Sequence, residues 1–282
     1  MIIFDFNQVA ISNLMQQIGS SKNAVEENLV RHMILNTIRT YVHKFKSTHG
    51  PEVVIACDNR RYWRREVFPH YKASRKKNRD ASGHDWNSIF ECLHKIKSEL
   101  IEYSPYKVVD VDGAEADDVI ASLVMKYSPH QKIMILSSDK DFAQLQKFPN
   151  VEQFSPILKK YVKEPMPALQ LKQMIIRGDK GDGVPNILTK DDVFVVGGRQ
   201  KPITEEKIIN WLNQEPKDFC NDDMLRNYSR NETMIDLTKI PQSIVSDILN
   251  TYENTQGKTK SVFMNYMISN KLKNLIEVID EF

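Results

Sequence analysis

The stretch GAEADDVIASL, residues 113–123, places three carboxylates within four positions, directly after a glycine and an alanine and directly before an apolar run. Glu115, Asp117 and Asp118 repel one another at this spacing, so a positive partner has to compensate them. A helix N-terminus supplies part of that charge, worth roughly 0.3–1 kcal/mol for each acid. The stretch therefore predicts either acids that only begin a helix or a group that holds a cation.

The segments around this stretch predict an α/β fold with a mostly parallel central sheet. Near-continuous apolar runs, typical of strands covered on both faces, occur at 2–6, 53–57, 107–111 and 132–136, and a weaker strand pattern occurs at 151–154. Helical spacing of apolar residues occurs between them, at 24–46, 86–101 and 116–127. This alternation places helices on both faces of the sheet.

The pattern changes after about residue 165, where loops and short helical runs replace the strands. Residues 178–186 and 191–203 are predicted as loops, and 205–213, 242–251 and 260–280 as helices. The expected division is an α/β core of residues 1–165, with a basic segment at 60–85, and a smaller helical C-terminal domain of residues 166–282.

Composition excludes several classes of protein. The chain has 282 residues and a net charge of +2, and its three cysteines form no CxxC pattern. This argues against a disulfide framework or a cysteine zinc site, and a reducing cytoplasm is the expected compartment. No apolar run reaches 18 residues, and the N-terminus MIIFDF lacks the features of a signal peptide.

Acids follow four successive predicted strands. Asp5 lies near the end of the first and Asp58 directly follows the second; residues 115–118 follow the third; Asp139 and Asp141 follow the fourth. The carboxyl ends of parallel strands meet at one edge of a sheet, where sites form. We therefore expect these acids to gather there, joined by the two acids of the loop GDKGDGVPN (178–186), Asp179 and Asp182.

Each acid could also have only a structural role, in the first turn of a helix, as a helix cap or in a turn. Asp5 does not suit such a role, because its neighbours Ile3, Phe4 and Phe6 are apolar, and an uncompensated charge there costs several kcal/mol. Clustered carboxylates hold hard divalent cations. Two such ions about 4 Å apart can clamp the attacking and leaving oxygens of a phosphodiester. The predicted cofactor is a pair of Mg²⁺ ions, with Mn²⁺ as a substitute.

Residues 60–79, RRYWRREVFPHYKASRKKNR, contain nine Arg or Lys residues and one acid, with aromatic residues between them. Basic side chains neutralise phosphates, and aromatic rings stack on bases or sugars. The block begins two residues after Asp58, beside the predicted metal site. The alternative is that this segment is only a solvent-exposed loop. Its position beside the predicted metal site and its aromatic residues favour a nucleic-acid-binding segment.

Together these residues resemble the 5′-nuclease superfamily, which includes flap endonucleases and the 5′-nuclease domains of bacterial DNA polymerases. The motifs in order are Asp5, Asp58, GAEADDVIASL, SSDKDFAQL (137–145) and GDKGDGVPN. The resemblance implies a PIN-like 5′-nuclease core and a 5′→3′ exonuclease and flap endonuclease acting on RNA–DNA and DNA duplexes. It also implies a monomer that removes RNA primers during replication, with a single-stranded-DNA-binding protein and a sliding clamp as partners.

The resemblance also assigns roles to residues. Asp58, Glu115, Asp117 and Asp139 would form a tighter metal site with Asp5 close by and Asp118 acting through water. Asp141, Asp179 and Asp182 would form the second site. Lys72 and Arg75, in YKASR, match a basic pair that contacts the scissile phosphate from an arch, and with Asp139 they are the expected catalytic residues. Further expected nucleic-acid contacts are Arg60, Arg64, Arg65, Lys76, Lys77 and Arg79, and in the C-terminal duplex-binding region Lys190, Arg199 and Lys201.

One departure and three alternatives remain. Residues 183–202, GVPNILTKDDVFVVGGRQKP, lack the glycine-rich hairpin with which many members grip duplex DNA. The sequence therefore decides neither the monovalent-ion site of those members nor the exact residues that grip the duplex. A haloacid-dehalogenase-like phosphatase would need an acid where Asn7 stands. A non-catalytic nucleic-acid-binding protein explains the basic block but not the acids. A small PIN-type nuclease is usually much shorter.

Overall fold

The computed structural model describes residues 1–18 and 25–282. Its six-stranded sheet has the order β3-β2-β1-β4-β5-β6, with every pair parallel except β5 and β6. The mostly parallel sheet is therefore confirmed, and β6 is an antiparallel edge strand that the sequence did not predict. The strands are β1 Ile2–Asp5, β2 Val53–Ala56, β3 Lys107–Val109, β4 Ile133–Leu136, β5 Val151–Ser155 and β6 Lys160–Val162.

Helices cover both faces of the sheet. The described part of the chain contains α1 Phe6–Ile18, α2 Glu27–His49, α3 Trp63–Val67, α4 Arg75–Ser82, α5 Trp86–Tyr103, α6 Ala116–Tyr127, α7 Pro167–Arg177, α8 Glu205–Leu212, α9 Pro216–Phe219, α10 Asp222–Ile235, α11 Gln242–Asn254, α12 Lys260–Ser269 and α13 Lys273–Ile276, with 3₁₀ helices at Lys140–Lys147 and Ile279–Glu281.

The predicted helix 116–127 is confirmed at both ends, and 86–101 extends to Tyr103. The helix predicted over 24–46 begins at Glu27, and residue 24 lies outside the described residues. The single helix predicted over 260–280 is wrong. It breaks after Ser269, where Lys271 adopts a φ of 57°.

Successive side chains of β1 lie on opposite faces of the sheet, and the sheet therefore separates two apolar clusters. Ile2 and Phe4 pack with α1, α2, α5, α12 and α13 on one face, whereas Ile3 packs with α6 and α11 on the other. Each face buries apolar side chains at period two, as expected for a covered strand. Segments of residues 166–282 thus cover both faces of the sheet, and the boundary predicted at 165/166 stays a prediction.

A third apolar cluster joins the basic segment to α7, α8 and α10. Trp63, Phe68 and Tyr71 are its members from the basic segment, and all three are buried.

The strand order determines where a site can form. The chain runs from β1 outward to β2 and β3 on one side of β1, and after α6 it continues with β4 on the other side. The strand order therefore reverses at β1, which places a crevice at its carboxyl end. Among the described residues, no helix is long and apolar enough to cross a membrane.

Candidate metal and nucleic-acid site

Asp5 and Asp58 lie at the carboxyl ends of the two adjacent strands β1 and β2. Asp5 accepts hydrogen bonds from the Gln8 backbone N–H at 3.1 Å and the Ser137 hydroxyl at 2.9 Å. Burial, and then the neighbouring charge of Asp58, raise the pKa of Asp5 to about 7. Asp58 accepts from the Ala116 backbone N–H at 2.8 Å, which ties it to the first turn of α6.

The first turn of α6 separates the three acids of residues 115–118. Glu115 is the N-cap and forms a capping box with Asp118, whose carboxylate accepts the Glu115 backbone N–H at 2.9 Å. The Trp63 indole donates to the same carboxylate at 3.2 Å, and Arg64 pairs with it at 2.8 Å. Asp118 therefore caps the helix and binds Arg64, and its expected role through water near a metal ion stays a prediction.

Asp117 takes no part in that cap. No hydrogen bond or ion pair from the described residues reaches its carboxylate. Burial, and then the charges of Asp139, Glu115 and Asp5, raise the pKa of Asp117 well above its ordinary value. Asp139 accepts the Asp141 backbone N–H at 2.9 Å as the cap of the 3₁₀ helix after β4. Five expected ligands therefore form one electrostatic group: Asp5, Asp58, Glu115, Asp117 and Asp139.

A second group overlaps the first at Asp139. Burial, and then Asp139, Asp179 and Asp182, raise the pKa of Asp141 to about 8. One carboxylate oxygen of Asp141 is buried and has no hydrogen-bond partner. Asp179 accepts the backbone N–H groups of Gly181 and Asp182 at 2.7 and 3.2 Å, which closes the 178–184 loop around the acids.

Basic side chains hold several of these acids. The Lys72 ammonium lies 2.5 Å from Glu115 and 3.7 Å from Asp182, and Arg75 also pairs with Asp182. Burial opposes the charged form of Lys72, but Asp182 and Glu115 raise its pKa. Likewise, burial opposes the ionised form of Asp182, but Lys72 and Arg75 lower its pKa. Lys140 lies 2.8 Å from Asp179.

The donor set fits a hard divalent cation. A small cleft between the basic segment and the end of α10 is lined by acids of both groups, together with Arg64 and Tyr71. The unpartnered oxygen of Asp141 and the unpaired carboxylate of Asp117 supply anionic oxygens, the ligands that Mg²⁺ and Mn²⁺ prefer. Within residues 1–18 and 25–282, however, no three His, Cys, Asp or Glu side chains converge on a single point as bound ligands would. Three of the acids form ion pairs with basic side chains instead: Glu115 with Lys72, Asp182 with Arg75, and Asp179 with Lys140.

The basic segment departs from its prediction in one respect. Arg64 is 1% exposed and pairs with Glu115 at 2.9 Å, so it cannot contact a phosphate as expected. The burial of Trp63, Phe68 and Tyr71 likewise rules out their stacking on bases. The other expected contacts are exposed or half-buried: Arg60, Arg65, Lys72, Arg75, Lys76, Lys77 and Arg79, and in the C-terminal region Lys190, Arg199 and Lys201.

Three residues of the site were not predicted from the sequence. The Tyr71 hydroxyl lies 3.1 Å from a carboxylate oxygen of Glu115 and 2.9 Å from one of Asp182, and it can donate its single proton to either. It therefore lies between the first acid group and the second. The Asn7 amide donates to Asp58. Lys140 was visible inside SSDKDF, between Asp139 and Asp141, as a cation among acids.

The site has carboxylates in two overlapping groups, the half-buried Lys72 beside them and a basic segment next to it. This combination is typical of phosphodiester hydrolases. The model of the 5′-3′ exonuclease N-terminal resolvase-like domain matches residues 6–174, and the model of the T4 RNase H C-terminal domain matches residues 166–282. The chain belongs to this 5′-3′ exonuclease family, and it is a 5′-nuclease.

Within the family the relatives are more specific. YWRRE (62–66), FPNVEQFSP (148–156) and EVIDEF (277–282) resemble a T-even phage RNase H, and the comparison confirms this. The ribonuclease H of Enterobacteria phage T4 is 36% identical over 290 residues, which cover 99% of this chain and 95% of that protein. The flap endonuclease Xni of Aliivibrio fischeri is 28% identical over 47% of this chain and 49% of its own length.

Solved structures share the fold. The phage T5 D15 protein, crystallised with metal ions, has a TM-score of 0.61 and 16% identity, covering 89% of this chain and 98% of its own. A complex of a T5 D15 flap endonuclease variant with DNA and metal ions also has a TM-score of 0.61, with 17% identity, covering 90% and 99%.

Proposed function

We propose that the protein uses divalent metal ions, physiologically two Mg²⁺, to hydrolyse phosphodiesters near the 5′ ends or flaps of RNA–DNA and DNA duplexes. The overlap of the two carboxylate groups at Asp139 carries this proposal. A pair of adjacent oxygen-ligand groups is what a two-ion mechanism requires, because both ions have to contact one phosphate. Asp139 would contribute to both positions, and Mn²⁺ would substitute for Mg²⁺.

Each group of residues has a distinct task. Bound metal ions would activate water and stabilise the leaving oxygen. Asp5, Asp58, Glu115 and Asp117 would hold the first ion, and Asp141, Asp179 and Asp182 would hold the second. Lys72 and Arg75 move from Glu115 and Asp182 to the scissile phosphate and stabilise the charge that develops there. Tyr71 keeps Glu115 and Asp182 at a fixed separation.

The exposed basic side chains bind the rest of the substrate. Arg60, Arg65, Lys76 and Lys77 line the segment above the acids, while Lys190, Arg199 and Lys201 extend the basic surface into residues 166–282. Such contacts neutralise phosphates without reading sequence. The enzyme would act as a monomer in the host cytoplasm, where it removes RNA primers beside a single-stranded-DNA-binding protein and a sliding clamp.

The test uses an RNA primer on DNA and a 5′-flap duplex, each labelled at the 5′ end, in Mg²⁺ and in EDTA. Wild type should release short 5′ products only with Mg²⁺. Asp139→Asn should abolish cleavage yet keep or raise thermal stability, because it relieves carboxylate crowding. Asp247→Asn, at an exposed acid of α11 far along the chain from these motifs, is the control and should cleave normally.

The other outcomes identify the alternatives. Duplex binding that is equal in Mg²⁺ and EDTA, without cleavage, would indicate a non-catalytic nucleic-acid-binding protein. Hydrolysis of small phosphate esters without nuclease activity would indicate a phosphatase. The phosphatase has little support, because Asn7 cannot act as a general acid and donates its amide to Asp58. Normal cleavage by Asp139→Asn would contradict the metal assignment.

A further inference from the structure

Lys140 lies in the chain between two expected metal ligands, Asp139 and Asp141, and its ammonium contacts a third. The Lys140 Nζ lies 2.8 Å from one carboxylate oxygen of Asp179. The side chain of Lys140 is 64% exposed, whereas that of Asp179 is 14% exposed. The ion pair therefore joins a largely exposed cation to a carboxylate that is mostly shielded from solvent.

The charge of Lys140 acts on the second acid group. It opposes the rise in the pKa of Asp141 that burial and the neighbouring acids cause. In turn, burial opposes the charged form of Lys140, but its hydrogen bond to Asp179 and the charges of Asp179 and Asp141 raise its pKa. The ammonium thus supplies positive charge at the place where the proposed function requires the second metal ion.

Lys140 differs from the other two cations of the site in where it is attached. Lys72 and Arg75 belong to the basic segment and pair with Asp182, and the proposed function already assigns them to the scissile phosphate. Lys140 is instead the first residue of the 3₁₀ helix that Asp139 caps. Its backbone therefore remains next to the acids, and only its side chain can move away from them.

Asp179 has one oxygen left for a metal ion, and Lys140 occupies it. Its Oδ1 accepts the backbone N–H groups of Gly181 and Asp182 at 2.7 and 3.2 Å, whereas its Oδ2 faces the Lys140 ammonium. A carboxylate oxygen has about two lone-pair sites, so Oδ1 is fully used. Mg²⁺ needs its ligand oxygens at about 2.0–2.1 Å, and an ammonium on Oδ2 keeps the ion from that distance. The ammonium can move into solvent, because the lysine side chain is long and exposed.

We propose that Lys140 is an exchangeable counterion of the second metal position: its ammonium holds Asp179 in the metal-free protein, is displaced by the ion, and so lowers the affinity of that position. The inference rests on the proposed function and adds a residue that sets its metal requirement. The ion pair stabilises the crowded acids without metal and opposes metal binding. Removing the lysine charge should therefore lower the stability of the metal-free protein and raise its affinity for metal, whereas losing a lysine with only a structural role would lower both.

The test compares Lys140→Met, which removes the charge at similar side-chain length, with Lys140→Arg, which keeps it. The control is Lys180→Met. Lys180 is exposed and directly follows Asp179, but it forms no ion pair within residues 1–18 and 25–282. Mn²⁺ is titrated into the metal-free full chain without DNA, and the free ion is measured by electron paramagnetic resonance. Thermal unfolding in EDTA is followed by circular dichroism.

Lys140→Met should bind one equivalent of Mn²⁺ about threefold more tightly, since an exposed ion pair is weak. It should also unfold about 1–3 °C lower in EDTA. The gain in affinity should shrink at about 0.5 M KCl, because salt screens exposed charges. Lys140→Arg and Lys180→Met should stay close to wild type. In an Asp179→Asn background, Lys140→Met should have no further effect, because the pair is already absent.

An unchanged or weaker Mn²⁺ affinity of Lys140→Met would overturn the proposal. An equal gain in Lys180→Met, or a gain that persists in the Asp179→Asn background, would overturn it too, because general charge rather than this ion pair would then set the affinity. Cleavage in Mg²⁺ is scored separately. A wild type that neither binds Mn²⁺ nor cleaves would contradict the proposed function itself, whereas one that does both while Lys140→Met behaves like it contradicts only the role of Lys140.

Discussion

The contribution of Lys72 to catalysis can be distinguished from the contribution of the surrounding positive charge to duplex binding. Its ammonium lies beside Glu115 and Asp182, among the expected metal ligands. Lys72→Ala should lower the single-turnover cleavage rate about 10²-fold, because charge stabilisation in the transition state is lost. Duplex Kd should change less than about threefold, because many other cations remain. Lys76→Ala, at an exposed position in α4, should show the reverse pattern. Equal losses of rate and affinity for Lys72→Ala would make it a phosphate-positioning residue.

Asp141 should make the stability of the metal-free protein depend on pH. Burial and Asp139 raise its pKa from 3.8 to about 8. Between those values the folded chain keeps a proton that the unfolded chain has released, so the free energy of unfolding falls as pH rises from about 4 to about 8. Asp141→Asn removes this loss and should stabilise the protein by about 2 kcal/mol at pH 8.

Urea unfolding in EDTA at pH 5 and pH 8.5 measures this difference, with Asp247→Asn as the control. The stability gain of Asp141→Asn should be larger at pH 8.5 than at pH 5. Equal gains at the two pH values would show that Asp141 does not retain its proton in the folded protein.

At the scale of elements, the 178–184 loop is packed backbone to backbone against the basic segment. The Lys72 N–H donates to the Asp182 carbonyl at 2.8 Å. A Cβ on Gly183 would lie 2.9 Å from the His70 carbonyl oxygen, and Gly183 has a φ of +75°. The loop that carries Asp179 and Asp182 and the segment that carries Lys72 therefore move together or not at all.

Gly183→Ala and Gly197→Ala form a matched pair. Both glycines have nearly the same φ, but an added Cβ on Gly197 meets nothing within 4 Å. Gly197→Ala should cost about 1 kcal/mol of stability from backbone strain alone. Gly183→Ala should cost about 1–2 kcal/mol more and lower the cleavage rate, because the segment at His70 has to shift. Thermal unfolding and single-turnover cleavage measure both effects, and equal behaviour of the two variants would show that the close contact is unimportant.

The same elements show what sequence patterns can predict. The strand ends that carry Asp5, Asp58 and Asp139 were predicted because buried parallel strands are continuous apolar runs. β6 was missed because it is three residues long and exposed at the edge. The break in the helix predicted over 260–280 was missed because no glycine or proline marks it. Helix α1 follows β1 without an intervening loop, so the strand signal obscured its start.

At the scale of the whole molecule, ion pairs between residues far apart in the chain determine which basic side chains are buried, and sequence patterns do not predict such pairs. Arg64 was predicted to bind phosphate because it lies in a basic block, yet its partner Glu115 lies 51 residues away. Local composition carries no information about such a partner. The prediction for the acids depends on no such pair, because the parallel topology brings the carboxyl ends of all four strands to one edge of the sheet.

The C-terminal helices complete the core of the α/β region, and this has a consequence for its independent stability. Ile248 and Tyr252 of α11 pack in the cluster of α6, while Phe263 and Met267 of α12 pack in the cluster of α2 and α5. A fragment of residues 1–165 would expose apolar surface on both faces of its sheet. Each large apolar side chain left uncovered loses roughly 1.5–3 kcal/mol, and a few such losses equal the total stability of a typical domain.

The fragment 1–165 expressed alone should therefore lack a cooperative urea transition, measured by circular dichroism and tryptophan fluorescence. Co-expression with residues 166–282 as a separate chain should restore a complex that unfolds cooperatively, because the same surfaces are covered again. This pair of measurements separates a loss of packing from a loss of chain connectivity. Cooperative unfolding of 1–165 alone, near the midpoint of the full chain, would show that the α/β core is an independent domain and that α11–α13 only dock against it.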